Sequence, residues 1–172
     1  LTMPVVESWV SPTYVVKQHT KTKKCSLIAS KKRDLVGHRL RHTVASWAKI
    51  NQPNIELLGR GYQSFENKED GLLPYHYSIV IENCQEADYF TEKLLDAMLC
   101  DCLPIYWGCS NIASYFNPEG LIICNNEAEL RIACSSLETP TQVQLAAATK
   151  NKKIAASLSN LNLRICQLIS LH

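Results

Sequence analysis

The sequence predicts an α/β fold built on a doubly wound parallel sheet. Three observations carry that prediction. Short apolar runs of strand length alternate with segments of helical spacing from Cys25 to Leu137. Such alternation implies parallel strands joined by right-handed crossovers. The run from Ser78 to Ile81 is apolar after its first residue, as expected for a strand covered on both faces. With 172 residues, 46% of them apolar, the chain can enclose a substantial core in one domain.

Residues 1–24 read as an irregular lead-in that ends in the basic run Lys21-Thr22-Lys23-Lys24. The first strand is expected from Cys25 to Ser30. Leu40, Val44 and Trp47 share one face of a helix from His38 to Ile50, which Pro53 stops. Ile55 to Leu58 is a short strand ended by Gly59-Arg60-Gly61. Ser64 to Leu73 is turn-rich, and Pro74 to Tyr77 reads as a short helical turn before the strand at Ser78 to Ile81. A helix from Thr91 to Cys100 and a strand from Leu103 to Trp107 follow. Then come a short helix from Asn111 to Phe116, a strand from Leu121 to Cys124 and a helix from Glu127 to Leu137. From Thr141 the chain reads as one or two helices, with an apolar stripe of Leu158, Leu161, Ile165, Leu168 and Ile169. The expected organisation is one doubly wound domain over residues 25–140, with residues 141–172 as helices packed on it.

Composition sets limits. A net charge of +2 is too small to argue for a nucleic-acid surface. No run of 18 apolar residues encodes a membrane-spanning helix. The first residues lack the basic start and long apolar centre of a signal peptide, and the absence of an initial methionine suggests a fragment or a processed chain. The eight cysteines form no Cys-x-x-Cys pair and no zinc-finger spacing with histidine. They read as reduced, buried thiols, with a Cys102–Cys124 disulfide left open. There is no Asp-x-Asp-type cluster, so no metal and no cofactor are expected.

The chemistry concentrates between Tyr77 and Gly108. A helix opening with Thr91-Glu92-Lys93 follows a strand and a polar loop. Helix N-termini in that setting bind phosphate, and a lysine set against the macrodipole makes sense beside a bound anion. Thr91 is the expected helix cap. Ligands of doubly wound sheets sit beyond the carboxyl ends of the strands, which places the loop from Asn83 to Phe90 and the loop after Gly108 at the site. No G-x-G-x-x-G fingerprint is present.

The same residues carry a resemblance. Glu82-Asn83, Tyr89-Phe90-Thr91-Glu92-Lys93 and Leu103-Pro104-Ile105-Tyr106-Trp107-Gly108 are similar to the donor-binding core of the glycosyltransferase family ten fucosyltransferases. SLIASKK, GHRLRH and IELLGRGY upstream, and CSNIASYFNPEGLIIC downstream, extend it over roughly Ser26 to Cys124. The resemblance implies the Rossmann-like, donor-binding half of a GT-B glycosyltransferase. It implies GDP-fucose as donor substrate, a glycan acceptor, and transfer with inversion at the anomeric carbon. It makes Arg41 and Lys93 the cations on the pyrophosphate, with Arg39 competing for the arginine role. Glu92 would hold the ribose diol, Asn83 and Tyr89 would contact the donor, and Thr91 would face phosphate.

Each assignment has a plainer competitor. Lys93 and Arg41 can be solvated charges, Glu92 a helix-start acid, Asn83 a turn residue and Tyr89 a packing residue. Asp96 reads as an exposed helix residue, and His38 and His42 as structural or solvent-facing. Glu82 reads as an inward acid at the site edge with no assigned role, and Arg60 as a strand-end residue near enough to approach the nucleotide. In the family the catalytic base lies in a separate acceptor-binding domain. The 25 residues before Ser26 are too few for one, so no catalytic residue is assigned here. The chain is then expected to be a fragment, to pair with another polypeptide, or to be a nucleotide-sugar-binding module without transfer. Its location would be cytoplasmic for a bacterial or viral protein and the Golgi lumen for a piece of a eukaryotic enzyme.

Overall fold

The computed structural model describes residues 8–10 and 19–159. Five strands form one parallel sheet: β1 (Lys23–Ile28), β2 (Ile55–Leu58), β3 (Tyr75–Ile81), β4 (Leu103–Trp107) and β5 (Ile122–Ile123). Their spatial order is β2-β1-β3-β4-β5. Four helices connect and cover them: α1 (Val36–Asn51), α2 (Glu92–Leu99), α3 (Glu127–Ser135) and α4 (Gln142–Ser159). The chain runs outward from β1 to β2, then returns to the other side of β1 for β3. That reversal makes the carboxyl ends of β1 and β3 a topological switch point.

Two apolar layers sandwich the sheet. On one face α1 and α3 pack through Val44, Ala45, Ala48, Leu130 and Ala133 onto Leu27, Ile79, Ile81 and Ile105. On the other, α2 and α4 pack through Leu94, Leu95, Met98, Ala155 and Leu158 onto Val80 and Tyr106. Each fully buried leucine contributes roughly 1.5–3 kcal/mol, so these layers outweigh surface pairs such as Lys23–Glu56, worth at most about 1 kcal/mol.

Several expectations change. The helical turn at Pro74 to Tyr77 is extended chain, because Tyr75 and Tyr77 pair with Lys23 and Cys25 of β1. The Pro74 carbonyl accepts from the Thr22 and Lys23 amides. These pairings lengthen β3 by three residues and start β1 at Lys23 rather than Cys25. The short helix expected after Gly108 is a 3-10 turn over Ile112–Ser114, and β5 is two residues long. The face of α1 that turns inward carries Arg41 and His42, while Leu40 and Trp47 are only half-buried. All seven described cysteines are free. Cys102 precedes β4 while Cys124 follows β5 and donates its amide to the Tyr106 carbonyl, so parallel pairing holds the two at opposite ends of the strands. Cys166 and the apolar stripe from Leu161 onward lie outside the described residues.

Asp96 is the largest correction. It is fully buried, not exposed. Its carboxylate takes Lys68 Nζ at 2.5 Å, Ser8 Oγ at 2.7 Å and the Trp9 amide at 3.0 Å. An acid placed on the solvent face by helical spacing is thus turned inward by three donors from outside its own helix.

The start of α1 is set by contact with β3. The Gly37 amide donates to the Asn83 carbonyl at 2.9 Å. A Cβ at Gly37 would stand 1.7 Å from the Glu82 carbonyl oxygen. Gly37→Ala should therefore cost about 3 kcal/mol, since backbone on both sides leaves no room to relax. Urea unfolding measures the loss, and a stability within 1 kcal/mol of the parent would show that α1 is not seated as described.

Candidate functional site

The switch point has two walls. One is the loop after β1, leading into α1; the other is residues 82–91, leading from β3 into α2. Their meeting point is Glu82. Its amide donates to the Trp107 carbonyl at 2.9 Å, continuing the β3–β4 ladder one step past β3. Its carbonyl lies against Gly37, and its side chain lies against Gly108, where a Cβ would meet Glu82 Cγ at 2.5 Å. Two glycines therefore close over one acid.

The Glu82 side chain is fully buried and reaches the start of α2. One oxygen accepts from the Thr91 amide at 2.9 Å, and the other from the Thr91 hydroxyl at 2.7 Å. Thr91 caps the helix by accepting from the Lys93 amide at 3.4 Å. The Lys93 ammonium donates to the Thr91 hydroxyl at 2.9 Å and lies 3.4 Å from Glu82 and 3.3 Å from Glu92. A buried carboxylate costs several kcal/mol unless such donors surround it. The ion pairs also explain the lysine against the helix dipole: two carboxylates hold it there.

Accessibility separates the roles. The Lys93 and Glu92 side chains are 27% and 24% exposed, while Glu82 shows nothing to solvent. Lys93 and Glu92 can meet a ligand; Glu82 positions them. Burial pushes the Glu92 carboxyl up, but Lys93, Lys68 and hydrogen bonding bring it below the ordinary range.

Arg41 is buried on α1 and donates to the Ile81 carbonyl. Burial lowers its pKa, while Glu82 and Glu92 act in the opposite sense, so it belongs to the same charge cluster. Arg39 is exposed and donates to the carbonyls of Arg33 and Asp34, away from this cluster. Half-buried Tyr89 has its phenol pushed up by burial, then by Glu82, Cys84 and Glu92, with a hydrogen bond from Asn83 acting the other way. Among the described residues, Asn83 Oδ1 is a buried oxygen without a hydrogen-bond partner. All six residues singled out from the sequence, Arg41, Asn83, Tyr89, Thr91, Glu92 and Lys93, thus gather around Glu82.

The two histidines make structural contacts. His38 Nδ1 accepts from the Leu35 amide at 3.4 Å, supporting the start of α1, which lacks a side-chain cap. Burial and then the Arg41 charge keep this ring below its ordinary pKa. His42 bridges the Tyr62 hydroxyl and the Lys32 carbonyl. Arg60 is exposed. The sequence marked Glu82 as an inward acid at the site edge but gave it no role, and Gly37 received no reading. Gly37 had a signal: a glycine in the first turn of a helix is unfavourable unless backbone must approach closely.

Comparison with known proteins gives a consistent result. The family model described as glycosyltransferase family 10 (fucosyltransferase) C-term matches residues 17–138. The α-(1,3)-fucosyltransferase FucT of Helicobacter pylori is 39% identical over 62 residues, which are 36% of this chain and 13% of that protein. A solved α1,3-fucosyltransferase with GDP is similar over 81% of this chain and 47% of its own, at 22% identity and a TM-score of 0.54. One with GDP-fucose covers 81% and 48%, at 21% identity and a TM-score of 0.52. The chain therefore spans about half the length of these solved relatives and a small part of the Helicobacter pylori protein.

Removing Glu82 separates its role from that of the exposed charges. Glu82→Ala leaves the Thr91 donors and Lys93 without their acceptor and should cost about 3 kcal/mol. Glu82→Gln keeps one acceptor and the shape, and should cost about 1–2 kcal/mol. Chemical denaturation of the two variants tests this order; equal stabilities for Glu82→Ala and the parent would contradict it.

Proposed function

The chain belongs to glycosyltransferase family 10, and on that premise we propose that it is the donor-binding part of a fucosyltransferase that uses GDP-fucose. In this reading the diphosphate lies at the start of α2, where Lys93, Arg41 and the helix dipole face it. The observation that carries the reading is the Thr91-Glu92-Lys93 turn at the switch point, with the unpartnered Asn83 oxygen beside it. That oxygen has the chemistry to accept from a sugar or ribose hydroxyl.

Transfer follows from the same residues. An acceptor hydroxyl attacks the anomeric carbon from the face opposite the diphosphate, and the bond from that carbon to the phosphate oxygen breaks. The configuration inverts, and negative charge collects on the departing phosphate. Lys93 stabilises that charge as a point cation, and Arg41 through its planar guanidinium. In this reading Glu92, half-buried beside Lys93, accepts from the ribose diol. No carboxylate at the site is assigned to take the acceptor proton, because Glu82 and Glu92 are both paired with Lys93. We assign that base, and the glycan acceptor site, to a second domain or chain. That division also favours a second reading, in which this chain alone binds GDP or a nucleotide sugar without transfer.

Calorimetry with GDP, GDP-fucose, UDP and ADP tests the proposal. The guanine nucleotides should bind selectively. Lys93→Ala should weaken GDP by about 30-fold or more, the equivalent of about 2 kcal/mol for a lost charged contact, in a protein still folded by circular dichroism but with a lowered melting temperature, because Glu82 loses its opposite charge. A Lys93→Ala variant that binds GDP like the parent would overturn the phosphate assignment.

A further inference from the structure

Asp88 and Asp101 are the described non-glycine residues with positive φ, and Asp88, at 61°, lies inside the loop that carries Tyr89. Aspartate tolerates the left-handed region better than most side chains, yet such a conformation persists only when its surroundings hold it. Here they do. The Asp88 amide donates to Asn111 Oδ1 at 2.9 Å, and its carboxylate accepts from Asn111 Nδ2 at 2.7 Å and from the Tyr115 hydroxyl at 2.5 Å. Asn111 is itself held by the Cys109 thiol, which donates to Oδ1 at 2.9 Å.

The other neighbour of Tyr89 is fastened to the same segment. Phe90 is buried edge-on between Tyr115 and Phe116, with ring centroids 5.1 and 5.5 Å away. Nearby, the Ser110 amide donates to the Glu86 carbonyl at 3.3 Å. The residues after β4 therefore grip the loop on both sides of Tyr89. Two residues beyond Tyr89 comes Thr91, the cap held by Glu82. The hydrogen bonds of Tyr115 and Asn111 keep the Asp88 carboxyl below its ordinary range, and the bond to Asp88 pushes Tyr115 up to about 12.

We propose that Asp88 is a positioning residue: through its paired hydrogen bonds to Asn111 and Tyr115 it fixes Tyr89 for contact with a nucleotide sugar. The donor contact rests on the function proposed above; the grip on the loop does not. Asp88 touches no reacting atom. It acts by removing alternative conformations from a loop that must meet the ligand, so that the ordering is complete before binding.

Two readouts on Asp88→Ala, Asp88→Asn and Tyr115→Phe test this. Cys84 is a half-buried thiol on the same loop, so its alkylation rate, followed on its own peptide by mass spectrometry, reports loop opening. Calorimetry reports GDP affinity, and Lys93→Ala serves as the reference for the donor site. Asp88→Ala should raise the Cys84 rate about 5-fold and weaken GDP about 10-fold, with the melting temperature little changed. Tyr115→Phe should move both in the same direction by less. Asp88→Asn keeps the left-handed tolerance and the acceptor oxygen, and should stay within about 3-fold of the parent on both. An unchanged Cys84 rate in Asp88→Ala would overturn the grip. A raised rate with parental GDP affinity would overturn the positioning role. If the parent binds no GDP, or Lys93→Ala binds it normally, the donor reading fails on its own, and the Cys84 rates still decide whether Asp88 holds the loop.

Discussion

Glu82 joins three parts of the chain that would otherwise be independent. Its backbone extends β3 to β4, its carbonyl lies against the first turn of α1, and its carboxylate ties down the first turn of α2. A carboxylate with no solvent contact is tolerated only because Thr91 offers two donors and Lys93 an opposite charge. Geometry at the switch point therefore depends on electrostatics. With the acid neutralised or removed, the helix cap, the lysine and the strand end no longer share a partner.

The same arrangement sets the charge that a ligand meets. Arg41 and Lys93 are balanced by Glu82 and Glu92, leaving the helix dipole, equivalent to about half a positive charge, as the uncompensated field. In the proposed reading, a diphosphate at this place would compete with carboxylates for Lys93 rather than meet a bare cation. Selectivity then rests on shape and on hydrogen-bonding groups such as the Asn83 oxygen as much as on charge. Charge held in this way also keeps Lys93 in one location, which lowers the ordering cost of binding.

The strand–helix alternation was legible because β3, β4 and the start of α2 are written in local signals: continuous apolar runs, the second bounded by Gly108, and a threonine cap. The run Tyr89 to Lys93 and the Glu82-Asn83 pair before it put five of the six candidate residues in one stretch, while Arg41 came from the resemblance of the GHRLRH helix. What stayed hidden is long-range. Asp96 sits at a solvent-facing spacing on α2, and only Lys68, Ser8 and Trp9 turn it inward. Arg41 and His42 occupy the inward face of α1 that apolar periodicity gave to Leu40 and Trp47. Tyr75 to Tyr77 became strand through pairing with β1, a partner some fifty residues away. In each case a contact distant in sequence overrides a local pattern.

Amide chemical-shift mapping during a GDP titration shows whether a nucleoside diphosphate docks at the carboxyl ends of β1 and β3 against the start of α2. The largest shifts should fall on Gly37, Asn83, Thr91 and Lys93, with β-strand amides at the opposite edge, such as Lys23 and Tyr75, unmoved. Shifts centred on that opposite edge, or none at saturating GDP, would contradict it.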